Sequence, residues 1–232
     1  MTPRETSALQ NTAVAAASAA GMIAWNSYVL PLVPARRRAA ANVAAAVATV
    51  ALARRRFSAR ELGLVWSPSV ARASAIAALA PAPLWVASAI AARRAEDHVR
   101  LPDDLIHPAE WLAWRIPVGT AISEELFFRS VLHALDRPAI SAAAFGIWHA
   151  RLAHTTGEPV AAVVAATTAA GVMFDLVRAR TGSVVVPMVL HASINLGGAV
   201  AVLLAERSRG RSDADPEEDA EAATTPLGTV GG

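Results

Sequence analysis

Apolar residues dominate seven stretches of this chain, at about 8–33, 37–55, 70–92, 110–134, 138–154, 159–178 and 183–205. Arginines, prolines or short polar runs separate each from the next. A membrane-spanning helix needs about 20 mostly apolar residues, so the pattern predicts an all-α, polytopic transmembrane helical bundle of about seven spans, with six or eight as the neighbouring counts. The second stretch is alanine and valine between Arg36-Arg37-Arg38 and Arg54-Arg55-Arg56. It is expected to be short or tilted, its arginines snorkelling outward. Pro81 and Pro83 should kink or interrupt the third. The first is read as a retained helix rather than a cleaved signal. Glu5 weakens a positive start, and the apolar run continues past Met22 to Val33.

Between the third and fourth stretches, residues 92–109 form a polar connection with Asp97, Asp103 and Asp104. It leads to Trp111 and Trp114, a pair suited to a membrane interface. From 206 to 232 the composition turns to Asp, Glu, Ser, Thr, Pro and Gly, which predicts a disordered acidic tail. The chain therefore divides into N-terminal helices with their connection (1–109), a second helical unit (110–205) and the tail (206–232).

Composition supports this division. The chain is 54% hydrophobic and 17% charged, against about 25% charged in soluble domains. Twelve of its 19 acids but 18 of its 21 basic residues precede Glu206, so the apolar part is net basic, as suits contact with anionic lipid headgroups. All the basic residues are arginine. With the alanine excess this points to a GC-rich bacterial genome, and to the cytoplasmic membrane as the location. The arginines cluster at span ends with no basic, aromatic-interleaved stripe, which argues against a nucleic-acid partner. The absence of cysteine excludes disulfides, a thiolate nucleophile and Cys-ligated zinc.

Three polar islands break the apolar pattern: Glu124-Glu125-Leu126-Phe127-Phe128-Arg129, Phe145-Gly146-Ile147-Trp148-His149 and His191-Ala192-Ser193-Ile194-Asn195. A charge at membrane depth costs roughly 2.5–3.5 kcal/mol on insertion scales, so three such intrusions call for a function. Glu125 and Arg129 are four apart on one helical face and are expected to pair, leaving Glu124, offset by about 100°, as the free carboxylate and candidate general base. His149 and His191 bring imidazoles from two other helices. Asn195 shares a face with His191, and together they are candidate donors to an oxyanion. Glu124, His149 and His191 also form a candidate divalent-metal set, zinc for example. The spacing allows a metal without demanding one, and the HExxH metalloprotease pattern is absent. Taken singly, each residue has a blander reading as a salt bridge or interhelical hydrogen bond; their conjunction on three spans favours chemistry. His133 is expected to continue the Glu125–Arg129 ladder, and His154 and Asp175 to lie near an interface.

These motifs, in this order, resemble the CPBP family of intramembrane proteases, also called Abi. The family includes the type II CAAX prenyl endopeptidases and bacterial bacteriocin-processing or immunity proteins. Its pattern of EExxxR, FxxxH and HxxxN appears as EELFFR at 124–129, FGIWH at 145–149 and HASIN at 191–195. Arg180-Thr181-Gly182-Ser183 and Pro187 also resemble the family's approach to its last motif, whereas Ser130 departs from the glycine that many members carry there. The resemblance spans about residues 110–205. It implies an intramembrane endopeptidase, metal-dependent or glutamate-dependent, acting on a peptide or lipidated protein at the bilayer. Glu124 and His149 would activate water, His191 and Asn195 would stabilise the oxyanion, and Glu125, Arg129 and Phe145 would support the site. The alternative is a non-proteolytic immunity or scaffold protein of the same family. Ion transport ranks below both.

Overall fold

The structure, a computed structural model, describes residues 3–94, 107–135 and 138–212. Among these residues every regular element is a helix. Helix α1 (Pro3–Ala24) runs on through a wider π-type turn, Trp25–Val29, and a tight 3-10 turn, Leu30–Leu32. Next come α2 (Ala35–Ala53), α3 (Pro68–Leu79) and α4 (Ala82–Arg94). Ser67 starts α3 by accepting the Val70 N–H, with Pro68 in the first helical position, where its missing N–H costs nothing. Pro81 and Pro83 separate α3 from α4, as the sequence predicts, because neither ring nitrogen can donate back along a continuous helix.

The fifth helix, α5, is continuous from Pro108 to Leu132, with two long runs of π-type turns, Trp111–Ile122 and Leu126–Leu132. Pro117 lies inside the first run. Ser123 Oγ lies 2.6 Å from the Gly119 carbonyl and 3.0 Å from that of Thr120, so a side chain supplements the loosened backbone ladder. Such widened turns recur at functional sites. The remaining elements are α6 (Pro138–Trp148), α7 (Ala150–Thr156), α8 (Val160–Thr181) and α9 (Val185–Ser212). The stretch expected as one span at 138–154 is thus two helices, broken at His149. Helix α9 continues through Ser212. Residues 213–232, and 95–106 of the polar connection, lie outside the described residues.

Four segments are long and apolar enough to cross a membrane: Leu9–Leu32, Pro68–Ala91, Val160–Thr181 and Val185–Arg207. The count of seven spans is therefore not reached on length and composition. Helix α2 carries its arginine triplet, α5 carries Arg115, Glu124, Glu125 and Arg129, and α6 and α7 are individually short. Leu32, Ile76, Leu79, Leu84 and Leu152 point outward. So much outward apolar surface suits a lipid solvent rather than water.

Packing centres on α6 against α8, on α9 against α3, α4 and α5, and on α2 against α5. Gly146 lets α6 and α8 approach closely, because a side chain there would collide with Thr168 Oγ1 and the Val164 carbonyl. The interior is aromatic. Phe127, Phe128, Phe145, Trp148 and Phe174 are all buried, and together they form the apolar wall around the three polar islands.

Candidate active site

Glu124 and Glu125 lie side by side on α5 and are both buried, yet their surroundings differ. Trp148 Nε1 donates to Glu124 Oε1 at 3.1 Å. The other oxygen, Oε2, is buried and has no hydrogen-bond partner among the described residues. It faces two imidazoles, with His149 Nε2 at 4.0 Å and His191 Nε2 at 3.9 Å. A buried carboxylate oxygen left unpaired costs free energy, and at these distances neither imidazole itself supplies the hydrogen bond across the gap.

The partners of the two histidines decide which nitrogen carries a proton. His149 Nδ1 lies 2.8 Å from the Phe145 carbonyl. A carbonyl only accepts, so Nδ1 donates, and in the neutral ring Nε2 keeps its lone pair toward Glu124. His191 Nδ1 lies 2.9 Å from Glu125 Oε1 and donates to that carboxylate, which again directs Nε2 to the gap. His149 sits at the α6–α7 break, its backbone N–H bonded to the Gly146 carbonyl at 3.1 Å. Phe145, one turn earlier, sets its ring edge-on against both imidazoles, at centroid distances of 4.8 Å from His149 and 5.7 Å from His191.

Glu125 has a second partner. Arg129 Nη1 reaches Glu125 Oε1 at 3.4 Å, and its Nη2 donates to the Gly171 carbonyl at 2.9 Å. The guanidinium carbon lies 4.3 Å from the Phe145 ring centroid and 5.1 Å from that of Phe174. The expected intrahelical pair is present, but the shorter contact of Glu125 is to His191, on another helix. Glu125 therefore sits directly behind an imidazole of the site. Glu124, expected to be free, is anchored at one oxygen.

Asn195, one turn beyond His191 on α9, lines a cavity of about 650 Å³ together with Glu124, Trp148, His149, Asn26 and Asn42. The structure thus brings Glu124, His149 and His191 into one cluster and sets Asn195 on the wall of the cavity it opens into. Three supporting residues escaped the sequence reading. They are Trp148, whose indole holds Glu124; Asn26, which donates to the Trp148 carbonyl at 2.9 Å; and Asn42, which donates to Ser123 Oγ at 2.7 Å and the Gly119 carbonyl at 2.8 Å. Asn42 was visible as a lone amide in the alanine-rich α2, and Trp148 as the residue before a motif histidine. Two expectations need correction. His133 does not extend the Glu125–Arg129 ladder but lies 3.4 Å from Asp175 on α8. Asp175 is buried rather than interfacial.

Two imidazole nitrogens and a carboxylate oxygen are the donor kinds of a zinc site. Their spacing is wider than a closed coordination sphere: ligands about 2.1 Å from a tetrahedral zinc stand about 3.4 Å apart, against 3.9 and 4.0 Å here. Among the described residues no group of three His, Cys, Asp or Glu side chains is disposed to hold a metal ion. As placed, the set does not fit a metal.

Residues 107–197 match a family model described as type II CAAX prenyl endopeptidase Rce1-like. The matched segment opens at the start of α5, closes two residues beyond Asn195, and contains all three islands. No curated protein and no solved structure matches the chain.

Proposed function

Residues 107–197 belong to the CPBP family of CAAX-type proteases, and from that premise we propose that this integral membrane protein is an intramembrane endopeptidase working through an activated water. Its substrate is a peptide or lipidated protein tail presented at the bilayer. The observation that carries the reading is the convergence of two imidazole Nε2 atoms on the unpaired Glu124 Oε2.

A water in that gap donates to Glu124 Oε2, and the lone pair of His149 Nε2 orients it. As the water oxygen attacks the peptide carbonyl carbon, Glu124 takes its proton. The oxyanion is received by the Asn195 amide and by His191, which enters the step with a second proton taken from solvent, donates from Nε2 as well as from Nδ1 to Glu125, and keeps that proton through the cycle. Collapse breaks the C–N bond, and Glu124 returns the proton to the leaving amine. Trp148 keeps the carboxylate aimed throughout. No step passes through a metal.

In this reading α2, α5 and the α6–α7 pair also cross the membrane, in a bacterial cytoplasmic membrane, which makes seven spans with α1, α3–α4, α8 and α9. The charged groups of α5 support that, because Glu124, Glu125 and Arg129 are turned inward and buried, as intramembrane ionisable groups are.

The test compares the membrane peptidomes of cells carrying the wild type and the Glu124→Gln, His149→Ala and His191→Ala variants. Substrate fragments should disappear in all three while each variant remains folded and inserted. Undiminished cleavage of a verified substrate by these variants would refute the proposal. Dialysis against a chelator should leave turnover unchanged; its loss, with recovery on adding zinc, would replace the metal-free step.

A further inference from the structure

Behind the site lies a second cluster with no part in the water-activating step. Asp175 of α8 is 5% exposed. Its Oδ1 lies 3.3 Å from Ser141 Oγ on α6, 3.4 Å from His133 Nδ1 at the end of α5 and 3.9 Å from Arg129 Nε. Ser141 shares its hydroxyl with the Phe128 carbonyl at 3.2 Å. One turn along α8, Arg178 donates from Nε to the Arg129 carbonyl at 3.2 Å. Asp175 Oδ2 and Arg129 Nε are both buried without a hydrogen-bond partner among the described residues. Two opposite charges therefore face each other inside the bundle through attraction rather than a tight bond.

We propose that Asp175 is a positioning residue that holds Arg129 back from Glu125 and thereby leaves Glu125 to His191. This rests on the proteolytic reading only for its consequence to turnover. The argument turns on Glu125 Oε1, which has two suitors: His191 Nδ1 at 2.9 Å and Arg129 Nη1 at 3.4 Å. An unrestrained guanidinium prefers a two-pronged pair with a carboxylate, and Glu125 offers a second oxygen, Oε2, that is buried without a partner. Arg129 does not take it. Its Nη2 is committed to the Gly171 carbonyl, its face lies against Phe145 and Phe174, and its Nε side is drawn toward Asp175. With the Asp175 charge removed, the pull on the Nε side vanishes. Arg129 then closes on both Glu125 oxygens, His191 loses its Nδ1 acceptor, and the neutral ring is free to carry its proton at Nε2 instead. The control passes through four residues, Asp175, Arg129, Glu125 and His191, on three helices.

The experiment is ¹⁵N-histidine NMR of the full-length protein in lipid nanodiscs at an alkaline pH where free imidazole is neutral, with His191 assigned from a His191→Gln sample. Wild type should show His191 as the Nδ1–H tautomer. Asp175→Asn should give a mixture with Nε2–H, and Asp175→Glu should restore the wild-type signal. If Asp175→Asn does not fold, Asp175→Ser removes the same charge with a smaller polar side chain and should shift His191 the same way. A His191 signal that stays wholly Nδ1–H in whichever of these variants folds overturns the proposal, leaving Asp175 a structural residue. Where a substrate is in hand, kcat should fall with KM unchanged, because the doubly protonated ring that receives the oxyanion loses the Glu125 carboxylate that holds its Nδ1–H. The two readings fail separately. A protein that cleaves nothing but whose His191 tautomer follows Asp175 loses the protease and keeps this relay.

Discussion

Glu124 and Glu125 are consecutive residues on one helix, equally hidden from water, and their surroundings assign them different work. Glu125 is enclosed: His191 and Arg129 both contact one of its oxygens, and Asp175 stands behind Arg129. Glu124 is anchored at Oε1 by an indole, its buried Oε2 faces two imidazoles, and the residue lines a cavity. The first arrangement suits holding a geometry, because each charge has a counterpart. The second suits proton transfer, because the unpaired oxygen is faced by two imidazoles rather than by a committed cation. A buried charge can be tolerated for either purpose. Each glutamate keeps one oxygen without a hydrogen-bond partner among the described residues, so what distinguishes them is their company: His191 and Arg129 contact Glu125, whereas Glu124 meets an indole and two imidazoles beside a cavity.

The largest test of that contrast is to neutralise each glutamate in turn. Glu125→Gln leaves buried Arg129 with only the looser Asp175 contact as counter-charge, and breaking a buried pair costs up to about 3–5 kcal/mol. Its melting temperature should drop sharply, and activity should be lost with the fold. Glu124→Gln keeps an oxygen for the Trp148 N–H and removes an unpaired buried charge. Its melting temperature should hold or rise while turnover falls by about 10²–10⁴-fold, the share of a general base. Thermal unfolding of both variants in the same detergent measures this directly. Equal destabilisation by the two substitutions would erase the distinction.

A smaller effect should come from Trp148→Phe. It keeps a ring near Phe127 and Phe128, which lie 5.8 and 5.5 Å from the Trp148 ring, but removes the only hydrogen bond found for Glu124 among the described residues. Hydrogen bonds to charged groups contribute about 1.5–3 kcal/mol. Since Glu124 can re-aim, only part of that should appear in the rate, as a fall of about tenfold in kcat. An unchanged kcat would mean that the two imidazoles alone suffice to aim the carboxylate.

How much of this was legible in the sequence follows from the physics of each feature. The helical class and the break at Pro81–Pro83 were readable, since hydrophobic run length and proline act locally. So were the three islands, because polar residues in apolar stretches stand out without any structure. The break at His149 was not, because no proline or glycine marks it. The choice of His191 by Glu125 was also hidden. Spacing within one helix reveals the Arg129 pairing, but a partner 66 residues away depends on how α5 and α9 are packed. Asp175 was misplaced for a similar reason. Its nearness to a span end says where it sits along α8, while its burial is set by α5 and α6 closing over it. Trp148 read as one more apolar residue until its indole N–H had a carboxylate to meet.

Glu61 supplies the far end of the comparison, a carboxylate in water whose needs are met by its own turn. It lies between α2 and α3, fully exposed as an ionisable group. The Ser58 N–H donates to Glu61 Oε2 at 2.7 Å, while the Glu61 N–H donates to Ser58 Oγ at 3.2 Å. The side chain of Ser58, then its backbone N–H, hold the Glu61 carboxyl below its ordinary range, and desolvation opposes them only weakly. A carboxyl more acidic in the folded state than in the unfolded one adds stability that is present above the unfolded pKa and fades as pH falls through the folded value. Ser58→Ala should therefore move the Glu61 titration, followed by side-chain NMR, up toward the free-glutamate value and reduce the acid sensitivity of the turn. Because the group is fully solvated, the change in overall stability should be the smallest of those described here. It should also leave the Glu124 cluster untouched, so a shift in activity from Ser58→Ala would show that the turn reaches the site through Arg178, which donates to the Glu61 carbonyl at 2.9 Å and to the carbonyl of Arg129.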